Sequence, residues 1–427
     1  MSTAPQAEIG DVVIEYKGKK GRAAHERKQL KKDEAMTEQL STLQRGILSE
    51  AKFSAGSVQP TRFRCTNASL DRFSFVYATG KDVLEGHVNL ALSADEQAEV
   101  TQGTQGANIS NIVKMKPMAS EALMTTPVHK YEIQSITARV DSHPNPLIAS
   151  IDARGAAFLY TKSTGSTDDV GSPQRKKQKQ HKYNGHALTA STTAEVGWAG
   201  VALDPTASSS VVATAHFFAK ELRFFDATTL QPTWVQPTVM HPTALTFSPT
   251  LASTAVVAEY NQFSIWDAKS NKRVARDGAP SQGCLFAIAC SPDGHSIAMG
   301  GEDKVAYIYD TRMWKLRNRW RCPLKYDIAY LAFSPSQSSL CYVAGLDNEL
   351  MCGEHDASKE KKQKHKEPAP AYSPSILQQN HRLGFRGDSR WIGLDIVSAS
   401  ANEDLGVGIC ESGSAYVIRP AQYMLGH

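Results

Sequence analysis

Short apolar runs separated by turn residues recur along this chain, and two consecutive copies of one pattern are clear. In the first copy, an apolar run ends at Ser248 and Pro249, a small-residue run follows over residues 254–258, and a third run ends at Asp267. The second copy keeps this order and ends at Asp310, so the closing aspartates are 43 residues apart. A repeat of this length built from short alternating strands predicts a β-propeller, with one four-stranded blade per repeat.

The same period continues on both sides of these two copies. Asp204 lies 44 residues before Ser248, and Ser334 lies 43 residues after Ser291. Less regular triplets of apolar runs precede residue 163 and follow residue 390. The sequence therefore predicts an all-β fold, a seven-bladed propeller over residues 62–427.

The strand that ends in Trp266 and Asp267, with degenerate versions in other repeats, resembles the WD-repeat (transducin beta-like) family. In that family the recurrent His, Asp and Trp side chains form buried hydrogen bonds. The resemblance implies a structural role for the matching positions here, which are Asp226, Trp266, Asp267, Asp303 and Asp310. His87, His186, His241 and Asp347 also stand at plausible versions of these positions, and no blade shows the whole set.

The last blade has only three predicted strands, over residues 391–397, 405–409 and 414–418. An open blade exposes strand edges, and propellers of the resembled family usually close with an N-terminal strand. Residues 10–16 are predicted to be that strand. Residues 23–53 carry apolar residues at helical intervals and predict a charged helical excursion, which either leans on the propeller or binds a partner. The N-terminal region is thus predicted to cover residues 1–61.

The net charge of +4 is unevenly distributed. Residues 175–182 and 359–366 contribute +9, so the rest of the chain sums to −5. Both clusters lie in polar stretches, residues 163–182 and 356–370, which cannot bury enough apolar surface to order themselves and are predicted to be disordered insertions.

Exposed Lys/Arg clusters of this density resemble monopartite nuclear-localisation signals. The candidate residues are Arg175, Lys176, Lys177, Lys179, Lys182, Lys361, Lys362, Lys364 and Lys366. They predict a nuclear protein, with the nucleolus as an alternative. Basic loops also bind RNA through phosphates, although these two have no interleaved aromatic residues for base stacking.

Cysteine usage and hydropathy bear on the compartment. The seven cysteines form no CxxC pair and have no histidine at zinc-finger spacing, which is typical of a reducing environment. No apolar run is long enough for a signal peptide or a bilayer span. We expect a soluble intracellular protein with no membrane partner.

No catalytic motif is present: the sequence lacks GxSxG, a Walker loop and HExxH. We therefore predict no catalytic residues, no metal and no cofactor, and hence no enzyme. Blade five offers another kind of site. Lys315, Arg317, Arg319 and Arg321 alternate with Trp314, Leu316, Asn318 and Trp320, so one strand face would carry four cations. That row either binds nucleic acid or an acidic partner, or protects an edge strand from mispairing.

Two functions agree with these features. The first is a non-enzymatic scaffold for protein–protein interaction, of the WD-repeat type, in a nuclear complex, with proteins bound on the propeller rim and central face. The alternative is an RNA-associated factor, such as a ribosome-assembly component or the non-catalytic subunit of an RNA-modifying enzyme. It would use the basic loops and the blade-five strand.

Overall fold

The computed structural model describes residues 42–48, 58–69, 71–90, 112–114, 120–139, 146–163, 183–190, 192–193, 196–206, 209–355 and 381–419. Every regular element in these ranges is a β-strand. No helix that is long and apolar enough to cross a membrane occurs in them.

The first fourteen strands cover the N-terminal half of the chain. They are β1 (Thr42–Ile47), β2 (Phe63–Ala68), β3 (Arg72–Thr79), β4 (Asp82–Asn89), β5 (Ile112–Lys114), β6 (Ser120–Ala122), β7 (Ile133–Arg139), β8 (Leu147–Asp152), β9 (Ala157–Lys162), β10 (Tyr183–Ala187), β11 (Ala199–Leu203), β12 (Val211–His216), β13 (Glu221–Asp226) and β14 (Pro232–Pro237).

Fifteen strands follow. They are β15 (Pro242–Phe247), β16 (Thr254–Glu259), β17 (Gln262–Asp267), β18 (Lys272–Gly278), β19 (Leu285–Cys290), β20 (Ser296–Gly301), β21 (Val305–Asp310), β22 (Lys315–Arg321), β23 (Ile328–Phe333), β24 (Leu340–Gly345), β25 (Glu349–Glu354), β26 (His381–Arg386), β27 (Trp391–Ser400), β28 (Glu403–Cys410) and β29 (Ser414–Arg419).

Seven sheets form a seven-bladed propeller, which confirms the predicted all-β architecture. Blades two to six each use four consecutive strands, beginning with β7, β11, β15, β19 and β23. Blade one consists of β2, β3, β4 and β6, and blade seven of β27, β28, β29, β1 and β5. The first strand of each blade contributes to the central channel, and the fourth forms the outer rim.

Burial explains why the strands take these positions. The second strands are almost fully buried because neighbouring blades cover both of their faces; β20 and β24 are buried at all six positions. Outer strand β18 is exposed at nearly every position, and outer strand β22 alternates between exposed and more buried positions. Apolar clusters join adjacent blades, and one of them packs Tyr342 and Leu350 of blade six against Trp391 and Tyr416 of blade seven.

An N-terminal strand closes the ring, but it is not the predicted one. Strand β1 pairs antiparallel with β29, from Thr42 opposite Arg419 to Ile47 opposite Ser414. Since β28 occupies the other edge of β29, no edge remains there for residues 10–16, and that prediction is wrong. Residues 10–16 themselves lie outside the described residues.

The predicted helix over residues 23–53 is also wrong where it can be compared, because residues 42–47 form β1. Strand β1 has a second partner, β5, which runs parallel to it and comes from the chain segment between β4 and β6. The remainder of the predicted helix, and both insertions beyond residues 163 and 355, lie outside the described residues.

The strand registers define two faces of the ring. At one end the start of the first strand meets the end of the second, as in the pairing of Ile133 with Asp152. The start of the third strand and the end of the fourth meet at that same end, as Phe158 and Ala187 do. We call this end the upper face and the opposite end the lower face. Upper-face loops join second to third strands and each blade to the next.

Candidate functional site at the mouth of the channel

Exposed large apolar side chains concentrate on the upper face. Six of them lie in its loops and in the segment just before β2: Val58, Tyr131, Phe218, Val239, Tyr260 and Tyr326. The other five are Ile47, Val235 and Val274 on outer strands and Leu251 and Met313 in lower-face loops. All four exposed aromatic residues of the described chain are therefore on one face. Exposed apolar side chains gathered on one face are typical of a surface that binds another molecule.

A cavity of about 520 Å³ opens at the centre of this face. Its apolar wall consists of Val58, Trp198, Phe217, Phe218 and Phe286, which we call the aromatic basin. Phe218 is the most open member, with 60% of its surface exposed. The basin is wide enough for a few side chains of a bound peptide, and aromatic walls of this kind give such anchors large contact area.

The turn between β12 and β13 presents the two phenylalanines in different ways. The Phe217 ring stacks on the His241 ring at 4.5 Å, and His241 Nδ1 lies 2.8 Å from the Phe217 carbonyl oxygen. The backbone N–H groups of Phe217 and Phe218 donate to Trp198 and Val196. Phe217 is thus held in place, while Phe218 extends from a fixed backbone towards solvent.

Gly197 makes this arrangement possible. Its φ of +69° lies in the left-handed region, and a Cβ atom there would come within 3.0 Å of the Phe217 ring and 3.2 Å of the Phe218 ring. A larger residue would be strained at this φ and would have to displace both rings.

The segment before β2 forms the floor of the basin. The Gln59 side chain crosses to blade four, where its Nε2 donates to the Thr243 carbonyl at 2.7 Å. Thr61 Oγ1 donates to the Gln134 carbonyl at 2.9 Å, and the Leu394 amide donates to Pro60. Three blades therefore fix the floor, which makes the basin a preformed site.

Positive charge dominates the side of the basin formed by blades two and three. Lys130 and Lys220 belong to the loops that carry Tyr131 and Phe218. Arg154 lies in the loop between β8 and β9, and its guanidinium is 5.1 Å from the Tyr131 ring centroid. Glu132, in the same region, forms an ion pair with buried Arg62 at 2.5 Å. Burial lowers the pKa of nearby His216 to about 4, with a smaller contribution from Arg223, so this histidine is neutral at pH 7.

The channel below the basin holds one ion pair among mostly apolar walls. Arg64 approaches Asp395 at 3.6 Å, and Asp395 also accepts the Cys65 amide at 2.8 Å. Burial raises the pKa of Asp395. Across the described ranges, no group of three His, Cys, Asp or Glu side chains could hold a metal ion. The charged groups that line the channel are thus one carboxylate and one guanidinium, which could contact a polar ligand.

The structure places the WD-type aspartates in turns. Asp226 accepts the amides of Thr228 and Thr229, and Asp267 accepts those of Lys269 and Ser270. The Asp310 carboxylate accepts hydrogen bonds from the backbone amide and the guanidinium of Arg312, and these bonds lower the pKa of Asp310 to about 2. Asp303, between β20 and β21, accepts the Val305 amide and the Tyr307 hydroxyl. These carboxylates are engaged in shaping turns.

Trp266 belongs to a buried relay in blade four. Its indole Nε1 donates to Ser264 Oγ at 2.7 Å, and the Ser264 hydroxyl donates to Glu259. Glu259 also accepts the amides of Val239 and Met240, at 2.9 and 3.2 Å. Glu259 ends β16 as Asp152 ends β8, and its carboxylate ties the loop between β14 and β15 to blade four.

Blade two contains a buried set of His129, Ser150, Asp152 and Tyr160, which matches the resembled pattern except for its tryptophan and which sequence analysis did not find. His129 Nε2 lies 2.6 Å from Ser150 Oγ, and its Nδ1 lies 3.1 Å from Asp152 Oδ2. Ser150 Oγ also lies 3.0 Å from the Tyr160 hydroxyl, so tyrosine stands where tryptophan is usual. The available signal was a histidine a few residues before the first strand. His129 follows valine, whereas His87 and His186 follow glycine.

Two of the histidines proposed from sequence lie elsewhere. His87 is exposed on β4 and contacts Ser74 at 2.8 Å, while His186 is on outer strand β10 and contacts Thr161 at 3.2 Å. His241 does lie ahead of a first strand, where it supports Phe217.

The blade-five cations lie on β22, and Lys315, Arg317, Arg319 and Arg321 are all exposed. Their predicted single face is wrong, because a β-bulge at Arg317 interrupts the alternation. Leu316 packs on the side of blade four, whereas Trp320 packs between blades five and six and the Asn318 amide donates to His355 of blade six. The cations therefore spread around the outer edge. The nuclear-localisation candidates at 175–182 and 361–366 lie outside the described residues.

Comparison with protein-family models finds no match for this chain, and comparison with curated proteins finds none either.

Proposed function

We propose that this protein is a non-enzymatic scaffold, a WD-repeat-like propeller that binds another protein at its upper face. The propeller fold is commonly a protein-interaction scaffold. The observation that carries the proposal is the aromatic basin with its surrounding exposed aromatic residues. These large apolar surfaces lie at the centre of one face, on a floor fixed by three blades, as in the anchor pockets of protein interfaces.

The chemistry of the basin defines its occupant as a peptide segment with a bulky apolar anchor and acidic flanking residues. The anchor would fill the space between Phe218 and Phe286. The acidic residues would face Lys130, Arg154 and Lys220, since the carboxylate of Glu132 is already engaged by Arg62. Charge complementarity of this kind sets orientation and association rate more than affinity.

Substituting Phe218 should remove most of the binding. We expect peptides selected from a random displayed library against the purified protein to share an apolar residue beside acidic ones. Phe218→Ser should weaken a selected synthetic peptide by at least about tenfold, because central aromatic anchors dominate such interfaces. Fluorescence anisotropy with the labelled peptide measures the affinity.

Leu251→Ser supplies the matched control. Leu251 is 48% exposed, against 60% for Phe218, but it lies in a lower-face loop. This variant should bind the peptide like the wild type. Selected peptides that bind the Phe218→Ser protein unchanged would contradict the proposal, as would peptides whose binding depends on Leu251.

We also propose that the protein acts in the nucleus, on the support of the two Lys/Arg clusters in the sequence. A fluorescent fusion with Arg175, Lys176, Lys177, Lys179, Lys361, Lys362, Lys364 and Lys366 changed to alanine should shift towards the cytoplasm. Passive entry of the 46.5 kDa chain plus its tag would be slow, so the clusters should decide the distribution. A wild-type fusion that is itself excluded from the nucleus would refute this location.

A further inference from the structure

Two neighbouring blades carry a concentration of positive charge on their outer edges. Residues 269–277, which end in β18, contain Lys269, Lys272, Arg273 and Arg276, and β22 contains Lys315, Arg317, Arg319 and Arg321. All eight side chains are exposed, and Asp277 is the only acidic residue in the two segments. We call these eight cations the cationic rim.

The two segments form one surface. Ala275 of β18 and Leu316 of β22 pack against the same apolar cluster between blades four and five. Tyr309 belongs to that cluster; its pKa is raised to about 12, mainly by burial and further by Asp277, while Arg319 lowers it, so charges of both segments reach this side chain. At about 3.3 Å per residue, β22 alone is about 20 Å long. The cationic rim is therefore wide enough for several successive charges of a polyanion.

Protection of an outer strand from mispairing does not account for this charge. Outer strands β10 and β14 contain no lysine or arginine, and β14 begins and ends with the prolines Pro232 and Pro237. Prolines and short length protect an edge without charge. On β1, the single arginine, Arg45, is bound to Asp388 at 2.7 Å. Outer strand β26 carries two arginines, Arg382 and Arg386, of which Arg386 forms an ion pair with Glu349 at 2.7 Å. Among the described outer strands, the largest excess of positive charge is therefore on blades four and five.

We propose that the cationic rim is a nucleic-acid-binding surface that contacts the phosphate backbone. Five of its eight cations are arginines, whose planar guanidinium groups match phosphate oxygens in a two-pronged geometry. Arg273 and Arg319 lie over the rings of Trp266 and Tyr307, at 5.7 and 6.0 Å, which limits their mobility before binding.

The surroundings favour nucleic acid over an acidic protein. A protein interface needs an apolar centre, and Val274 is the only large apolar side chain exposed on β18 or β22. The tryptophan of β22, Trp320, is buried and cannot stack on bases. Binding through phosphates alone is independent of sequence and strongly dependent on salt.

The test compares variants of the full-length protein with defined oligonucleotides. The rim variant is Lys272→Ser, Arg276→Ser, Arg319→Ser, Arg321→Ser, and a milder one is Arg276→Ser, Arg321→Ser. The matched control for the milder variant is Lys81→Ser, Lys325→Ser, which removes two exposed cations from upper-face loops. The probe is a labelled 20-nucleotide RNA of mixed sequence, with DNA of the same sequence beside it, titrated at several salt concentrations.

We expect the rim variant to bind RNA at least tenfold more weakly near 0.1 M salt. The slope of log affinity against log salt should fall by about three, because each phosphate contact contributes roughly 0.7 to 0.9. The milder variant should lose about half of that slope, and the control should lose none. A similar loss for DNA agrees with recognition of the backbone.

Three results would overturn the proposal. One is an unchanged salt slope in a soluble rim variant, which would assign RNA binding to the basic clusters at 175–182 and 359–366. Another is aggregation of the rim variant while the milder, soluble variant keeps the full slope, which would assign the cations to edge protection. The third is rim-dependent binding of polyglutamate without rim-dependent binding of RNA, which would identify an acidic protein as the partner. None of these results bears on peptide binding at the aromatic basin.

Discussion

Removing residues 1–48 should open the propeller ring, whereas removing residues 1–41 should leave it closed. The longer deletion takes away β1, which covers the outer edge of β29 along all six positions of their register. It also removes the contacts of Arg45 with Asp388 and Ser414. Lost ladder hydrogen bonds and packing should lower the free energy of unfolding by more than about 3 kcal/mol.

The shorter deletion is the control, because it leaves β1 in place. Urea unfolding followed by circular dichroism measures the stability of both proteins. Hydrogen exchange reports directly the amides of β29 that donate to β1, which are every second amide along the strand. Those amides should lose protection only when β1 is absent. Equal unfolding curves for the two deletions would show that β1 does not close the ring.

Asp152→Ala should cause a comparable loss, of about 3 kcal/mol or more. The Asp152 carboxylate is fully buried and lies between His129 Nδ1 and the amides of Arg154 and Ala156. Alanine leaves two buried groups, the His129 ring and the Ala156 amide, and the half-buried Arg154 amide without this acceptor. It also loosens the loop that ties blade one to blade two. Thermal and urea unfolding measure the effect.

Asp226→Ala provides the comparison. Asp226 also accepts two backbone amides, from Thr228 and Thr229, but these donors are exposed and can bond to water instead. This change should cost about 1 kcal/mol. Asp152→Asn, which keeps an acceptor oxygen, should fall between the two. Equal, small losses for both alanine variants would contradict a special role for the buried set in blade two.

The propeller could be predicted from sequence because blades repeat at a period that the chain keeps over its central part. The closing strand could not be predicted, because the segment with the stronger β-propensity is not the segment that pairs with β29. Residues 10–16 contain Val12, Val13 and Ile14, whereas β1 reads TLQRGI and includes a glycine. Strand β1 is specified by the edges of β29 and β5, which are distant in sequence, and such tertiary context overrides local preference.

The sites were predicted only in part for related reasons. The central face was expected to bind proteins, but the residues that form its binding site were not identified. Phe217 and Phe218 lie in a turn, and the alternation of apolar and polar residues predicts strands and not the exposure of turn residues. The cations of β22 were found, but the bulge at Arg317 changes which side each one faces, and no sequence pattern marks it. The cations of β18 were missed because their spacing does not alternate.

The closure of the ring also determines when β1 can pair during synthesis of the chain. Strand β1 is made early, but its antiparallel partner β29 follows it by roughly 370 residues, so at about 5–20 residues per second β1 waits for roughly 20–75 seconds. A strongly β-forming strand would risk pairing with nascent blades or other chains in that interval. The weak strand sequence of β1 suits this wait, since it pairs stably only once the last blade has emerged.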